Sequence, residues 1–529
     1  MNEKRQVARA TGVIGGATLA SRIFGYIRDM VVAGFLGAGL VADAFFIAFT
    51  IPNLLRRLFA EGALTISFIP VFIDRMKNQG REDAFVMARS ALRLLTTVML
   101  AVVLAGILFT PAIVRVIGWG WAADEPDKIA LTVTLTRIMF PYLLFVSLVA
   151  LCMGILNALG YFAAPAISPV FSNIAMIAAV SGAAALSGDS LFRAKGLAWG
   201  VVAGGVLQLA LQLPFLMKVG LRIRQRAPLF HPGLKRVAIL MLPAVFGAAV
   251  YQVNIVVGRL LATMLPEGSV SCLYYADRLV QFPLGVFALS GAMAALPSLS
   301  RQAAAGDYGA VADTFAFSLK LTFFITLPAM TGLIVLREPI VALLFQRGEF
   351  DAAAVRMTAQ ALLFYSLGLW AVSAARIVVS VFYALSDTRT PVLMAFVASL
   401  ANIGFGLALM GPLAHGGLAL AVSLSAVVNF ILLMGALRAR LPSLKMSAVT
   451  VSFVRSAVCS GLMGLVVREA SVRLIPAGAG VAGLLAGIPA CIVAGVACYV
   501  FFAYIAGSGE VIGLMNFFRR GNGPDKNRS

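Results

Sequence analysis

The stretch SRIFGYIRD, residues 21–29, lies inside an otherwise apolar segment that runs from about residue 13 to residue 36. Arg22, Arg28 and Asp29 occupy positions where a membrane-spanning helix ordinarily carries Leu, Ile or Val. A charged side chain at the centre of a bilayer costs at least about 2.5–3.5 kcal/mol on insertion scales. Two arginines and one aspartate in one such segment therefore need partners, water or a ligand.

The composition of the whole chain is that of a polytopic membrane protein. Of the 529 residues, 61% are hydrophobic and 12% are charged, whereas soluble domains average about 25% charged residues. Each membrane span needs about 20 apolar residues, and cuts at polar loops and Gly/Pro clusters give about fourteen candidate spans. The strict period-two alternation of a transmembrane barrel is absent from the sequence. We therefore expect an all-α polytopic membrane protein.

Basic residues are distributed unevenly between the two sides of the predicted membrane protein. The net charge is +20, and a basic domain that could bind nucleic acid is not apparent, so no nucleic-acid partner is expected. Lys and Arg concentrate at both termini and in connections that follow even-numbered spans, such as KVGLRIRQRAPLFHPGLKR (218–236). The opposite side holds fewer, and solvation accounts for its acidic AADEPDK loop (122–128). This asymmetry predicts that both termini are cytoplasmic.

The chain contains a weak internal repeat. NALGYFAAPAISPVFSNI (157–174) resembles YALSDTRTPVLMAFVASLANI (383–403), and two shorter matches have a similar spacing. Six helices per repeat preserve orientation, so we expect two six-helix lobes related by a pseudo-two-fold along the membrane normal. The predicted division is 1–219 for the first lobe, 220–440 for the second, and 441–529 for two further helices and a cytoplasmic tail. Two such lobes around a cleft are typical of alternating-access transporters.

The charges of SRIFGYIRD fall on one side of a predicted helix. Arg22 and Asp29 are seven residues apart and share a face, and the long side chain of Arg28 can swing toward it. Gly25, between them, is a soft point at which the helix could bend. Two interpretations stay open: Asp29 neutralises an arginine structurally, or the arginines line a hydrated cavity and bind an anion.

Further arginines in predicted spans favour the anion-binding interpretation. Arg56 and Arg57 lie in IPNLLRRLFAEGA, where Glu61 follows Arg57 at the spacing of an intrahelical ion pair. Arg278 lies in YYADRLVQFP (274–283). Guanidinium groups match phosphate oxygens geometrically and stay charged. Several converging arginines therefore suit a diphosphate better than a monocarboxylate.

Motifs for enzyme chemistry are absent from the sequence. The chain has two histidines, and it contains no HExxH, GxSxG or Walker loop. A nucleotide-binding domain for ATP-driven pumping is not apparent either. The sequence therefore predicts a transporter, not an enzyme, driven by a gradient or by the membrane potential.

Four stretches together carry a family resemblance: SRIFGYIRD, ADAFFIAFTIPNLLRRLFAEGALTISFIPVF, YYADRLVQFPLGV and FYALSDTRTP. They resemble the MviN/MurJ family of lipid II flippases, within the multidrug/oligosaccharidyl-lipid/polysaccharide exporter superfamily, over nearly the whole chain. The resemblance implies that lipid II, the undecaprenyl-diphosphate-linked peptidoglycan precursor, moves from the cytoplasmic to the outer leaflet of the bacterial inner membrane by alternating access. It also implies roles in cell-wall biogenesis and cell shape, with cell-wall synthesis proteins as possible partners.

The resemblance assigns expected roles to individual residues. By motif match, Arg22, Arg28 and Arg278 would contact the diphosphate, and Asp29 would orient Arg28. The last two helices would form a groove for the polyprenyl tail. By the same match, Arg56 and Arg57 would line the cavity or its gate. The positions expected to act in gating or structure are Asp43, Glu61, Gln281 and Gly25.

Two positions depart from the pattern of some family members. Some members bind sodium through an Asn and an Asp four residues apart; here Asp387 is present, but Tyr383 stands at the Asn position. A sodium site at Asp387 is thus in question, and no other cofactor is expected. Gln281 stands where some relatives carry Glu.

Three other functions stay open at this point. A drug or oligosaccharide-lipid exporter of the same superfamily would favour acidic cavity residues for cationic drugs. An intramembrane enzyme acting on polyprenyl phosphates would need an essential acid or nucleophile. A scaffold for cell-wall synthesis would keep its function after replacement of the cavity arginines.

Overall fold

The chain folds almost entirely into helices. The computed structural model describes residues 3–59, 63–121, 125–222, 225–441, 444, 446–476 and 478–511, and no strand occurs within them. Those residues form eighteen α-helices, α1 to α18. A helix pairs every backbone group internally, as the hydrocarbon interior of a membrane requires. The predicted all-α polytopic membrane fold is confirmed.

The chain forms two compact units. Unit 1 comprises Met1–Ser271 with Arg347–Asp351, and unit 2 comprises Cys272–Gln346 with Ala352–Ser529. This division follows contacts, whereas the predicted division at 219/220 follows the sequence repeat. The repeat-based domains therefore stay a prediction.

Unit 1 contains the first nine helices, separated by short connections. They are α1 Glu3–Leu36, α2 Leu40–Phe59, α3 Ala63–Asn78, α4 Arg81–Ile117, α5 Pro126–Met139, α6 Tyr142–Ala158, α7 Ala163–Leu186, α8 Ser190–Lys218 and α9 Pro232–Thr263. Pro141, which has no N–H to donate, separates α5 from α6. A buried cluster around Phe72, Phe85 and Leu151 joins α3, α4 and α6.

Unit 2 contains the other nine helices. They are α10 Ser269–Pro283 (its first three residues belong to unit 1), α11 Leu289–Ala304, α12 Tyr308–Val335, α13 Arg337–Phe345, α14 Ala352–Ser366, α15 Leu369–Ala384, α16 Arg389–Arg440, α17 Met446–Leu474 and α18 Val481–Ile505. A π-helical turn, Leu284–Ala288, links α10 to α11. Inside α16, Ala414 has φ 46° and ψ −132°, so α16 consists of two rods.

The core of unit 2 is aromatic, and the last two helices pack on it. Phe323 of α12 lies 4.9 Å, centroid to centroid, from Phe453 of α17, in an edge-to-face arrangement. The Tyr499 hydroxyl of α18 donates to the Phe324 carbonyl (2.8 Å). These contacts hold α17 and α18 against α12.

The broken helices account for the expected number of spans. Nine helical stretches of the described residues are each long and apolar enough to cross a membrane. Pairing α2 with α3, α5 with α6, α10 with α11 and α14 with α15, and dividing α16 at Ala414, gives fourteen rods of span length when the nine-residue α13 is left out. This number agrees with the sequence prediction of about fourteen.

A short segment from between α13 and α14 is part of unit 1. In this 347–351 segment, the Glu349 N–H donates to the Gly34 carbonyl (3.0 Å), and Arg193 Nη1 lies 3.1 Å from Glu349 Oε1. Gly348 has φ +55°, and a Cβ there would lie 2.1 Å from the Gly34 carbonyl oxygen. Only glycine fits this approach of two backbones.

Two ends of unit 1 can be identified by contacts near the ends of its helices. At one end, the Leu40 N–H donates to Glu267 Oε1 (2.6 Å). At the other, Arg236 Nη1 lies 3.1 Å from Asp74 Oδ2. We call these the Leu40 end and the Asp74 end; the charge asymmetry predicts that the Asp74 end is cytoplasmic.

Candidate functional site

Arg28 and Asp29 form a buried ion pair on α1. Their residues are 9% and 4% exposed, respectively. Arg28 Nε and Nη2 both donate to Asp29 Oδ1, at 3.0 and 2.6 Å. Both partners lie on α1, so no second helix has to supply the carboxylate.

A third residue completes this site from α7. Arg28 Nη1 donates to the side-chain carbonyl of Asn173 (3.0 Å), and Asn173 Nδ2 donates to the Ser21 carbonyl (3.3 Å). The sequence analysis did not single out Asn173. The sequence feature that could have indicated it is its position in the repeated stretch 157–174, where it is an amide in an apolar helix.

Arg22 and Gly25 lie on the same helix as the ion pair. Arg22 is half-buried and lies about 9 Å from Arg28 along the axis, at 1.5 Å per residue. A Cβ on Gly25 would meet Asn173 Nδ2 at 3.9 Å, an ordinary contact. Helix α1 is continuous through Gly25, and the bending role of Gly25 stays a prediction.

The second arginine pair lies at the end of α2. Arg56 and Arg57 are half-buried, and Arg56 Nε donates to Asn53 Oδ1 (3.0 Å). Glu61 lies outside the described residues, so its predicted pairing with Arg57 stays a prediction.

Asp43, at the start of α2, is enclosed at the Leu40 end and is 1% exposed. Its Oδ1 accepts from the Ser271 N–H (2.9 Å) and hydroxyl (2.7 Å), and its Oδ2 accepts from the Gly268 N–H (2.8 Å). The Nζ of Lys128 lies 3.4 Å from Oδ2. Asp43 thus ties α2 to α5 and to the start of α10.

Lys128 is a buried cation that the sequence analysis did not identify. Its side chain is fully buried, with Nζ 3.1 Å from Glu125 Oε2 and 4.3 Å from the centroid of the Trp121 ring. In the sequence it is the last residue of AADEPDK, which is typical of a solvated acidic loop. Trp119 and Trp121, just before that loop, were the available signal for a packed connection.

In unit 2, Arg278 lies on α10 among polar and aromatic neighbours. It is half-buried; its Cζ lies 5.6 Å from the centroid of the Tyr274 ring, and Nη1 lies 3.5 Å from Gln281 Oε1. Gln281 Nε2 donates to Asp277 Oδ2. The π-helical turn begins directly after α10, and such turns are frequent at functional sites.

Asp387 caps α16. Its Oδ1 accepts from the N–H groups of Arg389 and Thr390 (both 3.0 Å), its Oδ2 accepts from the Thr390 hydroxyl (2.6 Å), and Arg440 Nη2 lies 2.7 Å from Oδ2. The hydrogen bond from the Thr390 side chain, above all, lowers the pKa of Asp387. Tyr383, one turn earlier, is exposed. The described residues hold no group of three or more His, Cys, Asp or Glu side chains arranged for a metal ion, and a sodium role for Asp387 stays a prediction.

Unit 1 therefore brings Arg28, Asp29 and Asn173 together and sets Asp43 apart in a second buried network. Arg278 and Gln281 form their own cluster in unit 2. A buried arginine of this kind is a strong donor for a multiply charged oxygen anion. The arrangement is chemically suited to such an anion.

A family model and several related proteins match most of the chain in sequence. A family model described as lipid II flippase MurJ matches residues 32–483. A probable lipid II flippase MurJ of Rhizobium meliloti (strain 1021) is 40% identical over 425 residues, covering 80% of this chain and 79% of that protein. The lipid II flippase MurJ of Burkholderia cenocepacia is 37% identical over 443 residues, covering 82% and 84%.

Solved structures resemble the chain in fold. A lipid II flippase MurJ in an inward closed conformation matches with a TM-score of 0.77 and 25% identity, covering 93% of this chain and 98% of that one. An inward-facing multidrug resistance MATE family transporter of the MOP superfamily matches with a TM-score of 0.70 and 16% identity, covering 80% and 95%. The second likeness bears on fold alone.

Proposed function

The chain belongs to the lipid II flippase MurJ family, and we propose that Arg28, held by Asp29, is the principal contact in unit 1 for the diphosphate of lipid II. Membership makes the chain a lipid II flippase of the membrane, a transporter rather than an enzyme. In such a substrate, the lipid-linked diphosphate is the most highly charged part that must cross the bilayer.

One observation carries the proposal: the three nitrogens of Arg28 have unequal partners. Nε and Nη2 face the carboxylate of Asp29, whereas Nη1 faces the neutral amide of Asn173 at 3.0 Å. Hydrogen bonds between two charged groups are roughly twice as strong as neutral ones. Exchange of the amide for a phosphate oxygen therefore strengthens the bond to Nη1, while Asp29 keeps the guanidinium plane in place.

Other arginines extend the binding surface. We assign the second phosphate to Arg22, half-buried on α1, and to Arg278, half-buried on α10. Arg56 and Arg57 line the path of the anion. With Gln281 in place of an acidic residue, the Arg278 cluster contains the carboxylate of Asp277, which accepts from Gln281 Nε2.

The remaining matched positions act in gating or structure. Asp43 closes the Leu40 end through its bonds to Gly268 and Ser271, and breaking those bonds is a step toward opening this end. We place Glu61 and Gly25 in the same class, Glu61 as a charge partner near Arg57 and Gly25 as a point of flexure in α1.

We place the chain in the bacterial inner membrane with both termini in the cytoplasm. The Asp74 end of unit 1 carries the basic 218–236 connection, and positive loops stay on the cytoplasmic side. Transport then runs from the cytoplasmic to the outer leaflet by alternating access, with cell-wall synthesis proteins consuming the product. The polyprenyl tail lies along α17 and α18, which expose large apolar residues such as Val458, Leu465 and Phe501.

Transbilayer movement of labelled lipid II in proteoliposomes tests the proposal. We expect movement with the unchanged protein, strong loss with Arg28→Ala and with Arg278→Ala, and partial activity with Arg28→Lys, which keeps the charge but not the planar fork. Arg473→Ala is the matched control, because Arg473 is exposed and pairs with Glu469 on the same helix.

The controls separate binding from folding. Each variant is first compared with the unchanged protein in its thermal unfolding midpoint. Movement that is equal in all folded variants would overturn the arginine mechanism and leave the arginines as structural groups.

A further inference from the structure

A second cluster of arginines lies at the Asp74 end of unit 1, away from Arg28. The end of α4 nearest that side and the connection before α9 enclose an open pocket of about 370 Å³. The residues that line it are Arg89, Leu92, Arg93, Thr96, Thr97 and Leu229. The proposed transport mechanism uses none of these residues.

Arg89 is incompletely satisfied. It is 4% exposed; Nη1 donates to Gln225 Oε1 (2.7 Å) and Nη2 to Glu82 Oε1 (2.9 Å). Its buried Nε has no hydrogen-bond partner among the described residues. A buried N–H of a charged group without an acceptor is costly, so the described residues leave the Arg89 guanidinium incompletely compensated.

The pocket also carries excess positive charge. Arg93 donates to the backbone carbonyls of Gln225 (3.3 Å) and Ala227, which neutralise no charge. Glu82, the acidic partner of Arg89, has a side chain that is 80% exposed, so its screening of the buried guanidinium is weak. Two arginines thus face one solvated carboxylate.

An apolar stripe continues from the pocket along α4. Leu100, Leu104 and Leu108 repeat every four residues and are 47%, 60% and 70% exposed. Thr97 and Arg93 precede them at helical spacing on the same face. From Leu100 to Leu108 the stripe is about 12 Å long at 1.5 Å per residue, close to one leaflet of a hydrocarbon core of about 30 Å.

We propose that this pocket binds the phosphate of an anionic membrane lipid, with acyl chains along the Leu100–Leu108 stripe. The phosphate oxygens accept from Arg93, and the buried positive charge of Arg89 attracts them. The exposed Leu229 and Phe230, 41% and 73% exposed, flank the headgroup on the other side. The lipid stays bound as a structural ligand and is not transported.

Lipid binding to the purified full-length protein tests this inference. Native mass spectrometry counts phosphatidylglycerol and phosphatidylcholine bound to the unchanged protein, to Arg93→Gln and to the control Arg473→Gln. We expect preferential retention of phosphatidylglycerol, weakened about five-fold by loss of one arginine in Arg93→Gln and unchanged in the control. Arg93 is chosen because it is only half-buried and donates to backbone carbonyls, so no carboxylate loses its partner when Arg93 is replaced.

A second variant and a competitor distinguish the sources of the phosphate. Leu104→Asn places a polar group in the stripe and is expected to weaken phosphatidylglycerol binding while leaving the arginines intact. Glycerol phosphate, which has the headgroup chemistry without acyl chains, is expected not to displace the lipid at millimolar concentration. Equal retention by Arg93→Gln, or displacement by glycerol phosphate, overturns the lipid site. None of these readouts depends on lipid II transport.

Discussion

Two buried ion pairs in unit 1 differ in where their partners come from. Asp43 is held by Ser271, Gly268 and Lys128, all distant in sequence. Arg28 is held by Asp29, its neighbour, and by a single distant amide, Asn173. The first pair connects helices, and the second is carried by one helix.

This difference separates a structural charge from a ligand-binding charge. Removing one partner of a buried pair leaves an uncompensated charge and is strongly destabilising. Asp43 cannot lose its partners without separating α2 from α5 and from the start of α10. Arg28 can change its Nη1 partner while Asp29 preserves the pair, so a ligand can enter without loss of the fold.

The largest expected effect comes from removing Asp43. Asp43→Ala leaves Lys128 buried beside only Glu125 and leaves the N–H groups of Ser271 and Gly268 unpaired. We expect a loss of about 3–5 kcal/mol in the free energy of unfolding, measured as a fall in the thermal midpoint in detergent. In the double variant Asp43→Asn/Lys128→Met the loss is expected to be smaller than the sum of the two single losses; strictly additive losses would show that the two groups are not coupled.

A glycine of the 347–351 segment is expected to have the next largest effect. Gly348→Ala combines a left-handed backbone, φ +55°, with a Cβ 2.1 Å from the Gly34 carbonyl oxygen. The matched control is Gly306→Ala, at φ +73° with no atom within 4 Å of the new Cβ. We expect the control to cost about 1 kcal/mol and Gly348→Ala to cost clearly more, as measured by thermal unfolding. Equal losses would mean that the segment adapts without strain.

Replacing Asn173, the amide partner of Arg28, tests whether Arg28 can exchange that partner for a ligand. Asn173→Asp places a carboxylate where we assign a phosphate oxygen, so lipid II binding is expected to fall about ten-fold, the equivalent of one charge-assisted bond. Asn173→Ala removes the competing amide, and binding is expected to stay within about two-fold of the unchanged protein. Microscale thermophoresis with labelled lipid II measures both. Equal loss in both variants would instead make Asn173 a positioning residue.

The smallest expected effect is at Asp387. Its carboxylate caps α16 and belongs neither to the Asp43 network nor to the Arg28 site. Its pKa is lowered, first by the Thr390 side chain, so the carboxylate stabilises the folded chain above its ordinary pKa of 3.8. That stabilisation disappears as the pH falls through the lowered folded-state pKa. Thr390→Val is expected to lower the thermal midpoint slightly at pH 7, and the difference from the unchanged protein is expected to shrink as the pH falls below 3.8. A difference independent of pH would assign the effect to packing.

Composition and local pattern predicted the fold class and one part of the site. SRIFGYIRD places Arg28 and Asp29 next to each other. Successive residues on a helix do not face each other, so the pair also depends on the reach of the long arginine side chain. The number of spans followed from apolar length and from Gly/Pro clusters. The break at Ala414 lies in one such cluster, between Pro412 and Gly416.

Long-range partners could not be predicted from one sequence. Asn173 and Lys128 reach their partners from other helices, and a lone amide or lysine does not specify which helix it will face. The same holds for Arg89 of α4, one of whose partners, Gln225, lies in the connection before α9. The sequence indicated the basic character of that end, not the pocket.

The 347–351 segment has a consequence for biosynthesis. Unit 1 uses residues up to Ser271 and then five residues that follow unit 2 sequence. The 75 residues between these parts, Cys272–Gln346, take about 4–15 seconds to synthesise at about 5–20 residues per second. A nascent chain that ends before Arg347 therefore contains the first nine helices but lacks the backbone that pairs with Gly34. Unit 1 is completed only after the ribosome has made α10 to α13 of unit 2.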